Sequence, residues 1–159
     1  MTTETTIVTP RRIQRKRTKG WRLPSNTVCV SRPSKWGNPF RVIYDRVTKT
    51  WGVFHDGEMC VGNDSYPTKH QAMSCAVAMF CGYYSVPFLH HDVQSSLRGK
   101  NLACWCPPGM PCHTDVLLAI ANADEGMSFD DAFAALRAAN APAGETPAAS
   151  VAGEGGEAA

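Results

Sequence analysis

The chain has 159 residues, 43% of them hydrophobic, which is enough for a single compact core and not for two. Its seven cysteines are an odd number and no apolar leader follows Met1, which argues against a secreted disulfide scaffold and predicts reduced thiols in a cytoplasmic protein. The net charge of +2 conceals an asymmetry, since residues 1 to 100 hold 15 Lys/Arg against 6 Asp/Glu and residues 101 to 159 hold 1 against 8.

Residues 1–10 read as a flexible lead-in, 11–140 as one α/β domain and 141–159 as a disordered Ala/Gly/Glu tail too poor in apolar groups to offset the entropy of ordering. The domain opens on a basic arm of Arg11, Arg12, Arg15, Lys16, Arg17, Lys19 and Arg22. Such density draws a phosphate-bearing partner, nucleotide or nucleic acid, by counterion release, or else is a solvated run that only keeps the protein soluble. Thr27 to Val30 is a short β-rich run leading into a loop. Phe40–Tyr44 and Thr50–Phe54 then pattern as the two arms of an antiparallel hairpin.

Pro67 and Thr68 mark a helix start, with Ala72, Ala76, Met79, Phe80 and Tyr83 at helical spacing. Leu89, Val93 and Leu97 continue a second helical pattern that stops at Arg98-Gly99-Lys100, where Gly suits a C-cap. Leu102 to Cys106 reads as a buried strand, and Thr114 precedes a helix carrying Asp115 in its first turn and Val116, Leu117, Leu118 and Ile120 behind it. A last short helix is expected from Ser128 to Ala139. The order β-β-β-α-α-β-α-α implies a small mixed sheet with an antiparallel hairpin and helices packed on it, a Rossmann-like three-layer stack being one way to arrange them. No apolar run reaches the length of a membrane span.

Three cysteines and a histidine fall within ten residues, in Cys104-Trp105-Cys106 and Cys112-His113. The strand period of two points Cys104 and Cys106 to one face and Trp105 to the other. The stiff loop through Pro107, Pro108, Gly109 and Pro111 returns Cys112 and His113 toward them. Cys104, Cys106, Cys112 and His113 thus form a set of three thiols and one imidazole, a zinc composition, although C-x-C is an unusual half-site and adjacent Cys-His must splay to bind one ion. Alternatively Cys106, Cys112, His113 and Asp115 are a catalytic centre at a helix start, with His113 as general acid/base, or the cysteines are small buried hydrophobes. His90 and His91, His55 and His70 have no fixed spacing to the cluster and carry a weaker signal.

The loop Arg32-Pro33-Ser34-Lys35-Trp36-Gly37-Asn38-Pro39-Phe40 sets two cations, an indole and an amide in a restricted turn. Trp36 can stack a base, Arg32 or Lys35 can meet a phosphate and Asn38 can read a base edge, unless Trp36 and Phe40 merely cap the core. Arg98 joins these as a further expected substrate contact.

With Lys19-Gly20-Trp21-Arg22, this loop, Leu97–Cys106 and Cys112–Leu117 in one order, the chain resembles the DUF4326 family of domains of unknown function, over about Arg11 to Asn122. The resemblance implies a cytoplasmic protein of a bacterial cell or of a phage-infected host. Its signature residues here are Arg32, Trp36, Gly37, Asn38, Cys104, Cys106, Cys112, His113 and Asp115. It names no activity. The residues themselves point to a nucleotide- or nucleic-acid-directed domain, either an enzyme acting on a base or glycosidic bond or a zinc-stabilised binding module without chemistry of its own.

Overall fold

The computed structural model describes residues 9–60, 65–84, 87–124, 131 and 134. The expected lead-in up to residue 8, the tail 141–159 and all but Asp131 and Ala134 of the helix expected after Ser128 lie outside the described residues. In chain order the elements are β1 (Arg12–Gln14), β2 (Thr27–Cys29), β3 (Arg41–Asp45), β4 (Thr50–His55), β5 (Glu58–Met59), α1 (Lys69–Tyr83), α2 (Pro87–Leu97), β6 (Asn101–Cys104) and α3 (His113–Asn122). The fold is mixed α/β.

The strands divide into two sheets. One is parallel, in the order β1-β6-β2, with Ile13 opposite Ala103 and Val28 opposite Leu102. The other is antiparallel, β3-β4-β5, and contains the expected hairpin. Sequence patterning missed β1 and β5 because three and two residues are too few to show alternation, and because the charge of Arg12 masks a strand that pairing alone defines.

Thr68 caps α1 in a capping box: its side chain accepts from the Gln71 N–H while Gln71 accepts from the Thr68 N–H. Ala72, Ala76 and Phe80 form the buried stripe of α1, which packs on β3 and β4, while α3 packs on β6 and β1 with α2 against it. The larger core joins Val30, Phe80, Val93, Leu97, Leu102, Val116, Leu117 and Ile120, and a smaller one forms around Val53, Ala72 and Ala76. Phe40 touches both.

Two local expectations shift. The N-cap of α3 is Cys112, whose sulfur accepts from the Thr114 N–H at 3.4 Å, so the helix begins one residue before Thr114. The start of the basic arm is a strand held inside the domain and not a free arm, since β1 lies along β6 with the Arg15 N–H donating to the Cys104 carbonyl at 2.8 Å. Among the described residues no helix is long and apolar enough to cross a membrane.

Candidate thiol-lined cleft

All three parallel strands end on the same side, and the segments that follow β2 and β6 face each other there. Between them and α1 lies a cleft of about 330 Å³ lined by Ser31, Arg32, Asn38, Phe40, Lys69, Met73, Val77, Trp105, Cys106 and His113, among others. Clefts outside the carboxyl ends of parallel strands are the usual ligand sites of α/β sheets, and this volume lies in the range of small-molecule pockets. Among the described residues the lining carries the cations Arg32 and Lys69 and no carboxylate. Burial, and then the neighbouring charge of Arg41, push the Arg32 guanidinium below its ordinary pKa, a cost that a bound anion would relieve.

Behind one wall sits the thiol cluster. The sulfurs of Cys104, Cys106 and Cys112 lie within 4.8 Å of one another, with Cys104 and Cys112 at 3.3 Å. Cys104 and Cys112 are buried, while Cys106 is half-buried and reaches the cleft. Hydrogen bonds from Cys106 and Cys112 pull the Cys104 thiol far down, and the same bonds push Cys106 up, to about 11, and Cys112 above the ordinary thiol value. This cluster could hold a metal ion.

Among the described residues the group able to hold a metal ion is the three cysteines, and the expected fourth ligand, His113, is not in it. His113 is 7% exposed; its Nε2 donates to the Val30 carbonyl at 2.9 Å, its Nδ1 lies 3.9 Å from the Cys112 sulfur, and its ring meets Phe80 edge-on. Neither nitrogen joins the three-sulfur group. Burial lowers the His113 pKa, the Val30 bond only partly opposing it, so the ring is neutral near neutrality.

Arg12 closes the cluster from the other side. Its guanidinium donates to the carbonyls of Pro107 (2.7 Å) and Met110 (3.2 Å) and to Asp115 Oδ2 (2.8 Å), tying β1 to the proline loop and to the first turn of α3. Burial raises the Asp115 carboxyl above its usual range although the Arg12 charge pulls the other way. Arg12 and Asp115 are therefore spent on each other; of the expected arm, Arg12 is not a free phosphate contact.

Other expected contacts resolve differently. Trp36 is 6% exposed in the larger core, and that burial keeps it from stacking a free base. Lys35 pairs with Asp92 at 3.0 Å. Asn38 donates to the Ala76 carbonyl and accepts from the Phe40 N–H, which fixes the loop on α1 and leaves its amide engaged. Arg98 bonds the Ala123 carbonyl at the far end of α3, about 15 Å of helix from the cluster, and is not part of the site. Gly37 packs against the Arg32 backbone, where a Cβ would fall 2.7 Å from the amide nitrogen. Arg32 lines the cleft.

The residue that sequence reasoning set aside is Trp105. It is 40% exposed, lines the cleft, and carries the guanidinium carbons of Arg15 and Arg17 at 4.4 and 5.1 Å from its ring centroid. The signal was present in the alternation that turned Trp105 away from the cysteines, and in the two-residue spacing of Arg15 and Arg17 on the neighbouring chain segment.

These features define a small mixed α/β domain with a cation-lined cleft backed by a three-thiol cluster. A family model described as a domain of unknown function, DUF4326, matches residues 13–123, and the chain belongs to that family. Searches of curated proteins and of solved structures returned no match.

Proposed function

We propose that the chain is a nucleotide- or nucleic-acid-directed domain of the cytoplasm of a bacterial or phage-infected cell, in which the cleft receives a base and its phosphate and the cysteine cluster holds zinc. The observation that carries this reading is the cleft lining: among the described residues two cations, no carboxylate and an exposed indole, at the carboxyl ends of three parallel strands. Phosphate would sit against Arg32 and Lys69, with the base among Phe40, Met73 and Trp105.

The donor set suits zinc. A tetrahedral thiolate set with Zn–S near 2.3 Å has sulfur–sulfur edges of about 3.8 Å, so the spread between 3.3 and 4.8 Å closes with movements on the order of 1 Å. Three thiolates on Zn²⁺ leave one negative charge, which the Arg12 guanidinium, shared with Asp115, would offset only in part. Bound there, zinc would fix the wall that presents Cys106 and would serve as a Lewis acid if its fourth position met the ligand.

A second reading, an enzyme acting on a base or glycosidic bond, is favoured by one observation: Cys106 and His113 both line the same cleft. Metal analysis and thermal-shift assays with mononucleotides and short oligonucleotides test the pair. One zinc per chain, removed by Cys106→Ser, and a nucleotide-induced rise in melting temperature abolished by Arg32→Ala are expected. A metal-free protein indifferent to every nucleotide would remove the proposal. Liberation of free base by the wild type, lost in His113→Ala with zinc retained, would select the enzyme.

A further inference from the structure

Trp105 is the exposed aromatic nearest the cleft, and its surroundings are built. Arg15 donates to Ser31 Oγ at 2.8 Å, which holds its guanidinium over the indole before any ligand arrives. Arg17, two residues on and exposed, brings a second guanidinium over the same ring. Between residue 9 and residue 44 the sequence has ten Lys/Arg and no Asp or Glu, of which Arg12 and Lys35 pair with Asp115 and Asp92 from elsewhere in the chain. Arg32 and Lys69 line the cleft and Arg15 and Arg17 do not, while Trp105 both lines the cleft and lies under the guanidinium groups of Arg15 and Arg17.

Two sets of cations flanking one aromatic surface exceed what a single nucleotide can engage. A polymer engages both, setting one phosphate in the cleft and the next over the platform. Indole and guanidinium planes take the faces of unpaired bases, which a duplex keeps stacked inside itself. Resting on the nucleic-acid reading above, we infer that Trp105, Arg15 and Arg17 form a stacking platform for single-stranded nucleic acid, and that the ligand of the cleft is a nucleotide within such a strand.

Fluorescence anisotropy with a labelled oligothymidylate of about 12 nucleotides, within the range of common single-strand sites, tests this on the full chain. Trp105→Ala should weaken binding by about tenfold or more, the effect of losing one base–aromatic stack, and Trp105→Phe should restore most of it. Arg17→Ser should lower the slope of log affinity against log salt by about 0.7, one phosphate's share on a single strand. Wild-type affinity in Trp105→Ala, or a duplex of equal length binding as tightly as the strand, would overturn the platform. If Trp105→Ala does not fold, Arg17→Ser decides alone, an unchanged slope counting against it. Should mononucleotides still bind in an Arg32-dependent way while Trp105→Ala leaves oligomer binding untouched, the platform fails and the cleft survives. Oligomer binding that needs Trp105 but not Arg32 would keep the platform and discard the cleft.

Discussion

At the residue scale, the loop that shapes the cleft depends on the absence of one methyl group. A Cβ at Gly37 would lie 2.7 to 2.9 Å from backbone and side-chain atoms of Arg32, and backbone cannot rotate away as a flexible side chain can. Gly37→Ala should cost about 3 kcal/mol in urea unfolding, the upper end of overpacking effects, and should weaken any anion bound at Arg32. Arg12 is the second such residue. Arg12→Ala leaves two carbonyls and a half-buried carboxylate without their donor, so a loss of about 2–3 kcal/mol is expected, smaller when Asp115→Asn is already in place because only the two carbonyls then lose a donor. Additive losses in that double-mutant cycle would mean that the two side chains act independently. Residue-level chemistry was the most legible part of the sequence where it depended on spacing: the three cysteines do come together and the proline loop does return Cys112, although the strand expected to run to Cys106 ends at Cys104, so Cys106 reaches the group from the segment that follows β6 and not by strand alternation. It was least legible where a polar side chain chooses between ligand and backbone. Nothing in the order of residues tells that Asn38 spends its amide on Ala76 and Phe40, or that His113 spends Nε2 on Val30.

At the element scale, helices and the hairpin could be read because their periods extend over enough residues, while β1 and β5 could not. The end of α1 offers a measurable case. Tyr84, its C-cap residue, is buried against Phe80 with its hydroxyl donating to the Lys35 carbonyl at 3.3 Å, and burial raises its pKa to about 12. The unfolded chain ionises near the ordinary value of about 10, so it releases its proton first as pH rises. The stabilisation from keeping Tyr84 neutral is therefore fully present below about pH 10 and is lost as pH climbs through about 12, a change of roughly 2–3 kcal/mol. Denaturant midpoints of wild type and Tyr84→Phe should differ in their alkaline slope over that interval. Parallel slopes would show that the hydroxyl is hydrated in the native state.

At the scale of the molecule, two cores meet at Phe40, which also faces the cleft. The site thus sits on a seam. Phe40→Ala should cost about 3 kcal/mol and loosen the smaller core more than the larger, so that amides of β4 exchange through smaller openings than those of β6 in native-state hydrogen exchange. Equal protection in both sheets would mean that α1 alone joins them. The sequence announced a mixed α/β fold with a hairpin, yet not its division into two sheets, because strand partners separated by most of the chain leave no local trace.

The clasp of Arg12 on Asp115, together with the pairing of β1 along β6, sets the calendar of folding. A nascent chain emerging from the ribosome has its opening strand in hand long before the segment near residue 104 that must receive it, and the bond between residues 12 and 115 spans 103 positions. β1 is synthesised well before the strand that receives it, so the cysteines gain their cover only when β6 and α3 have followed.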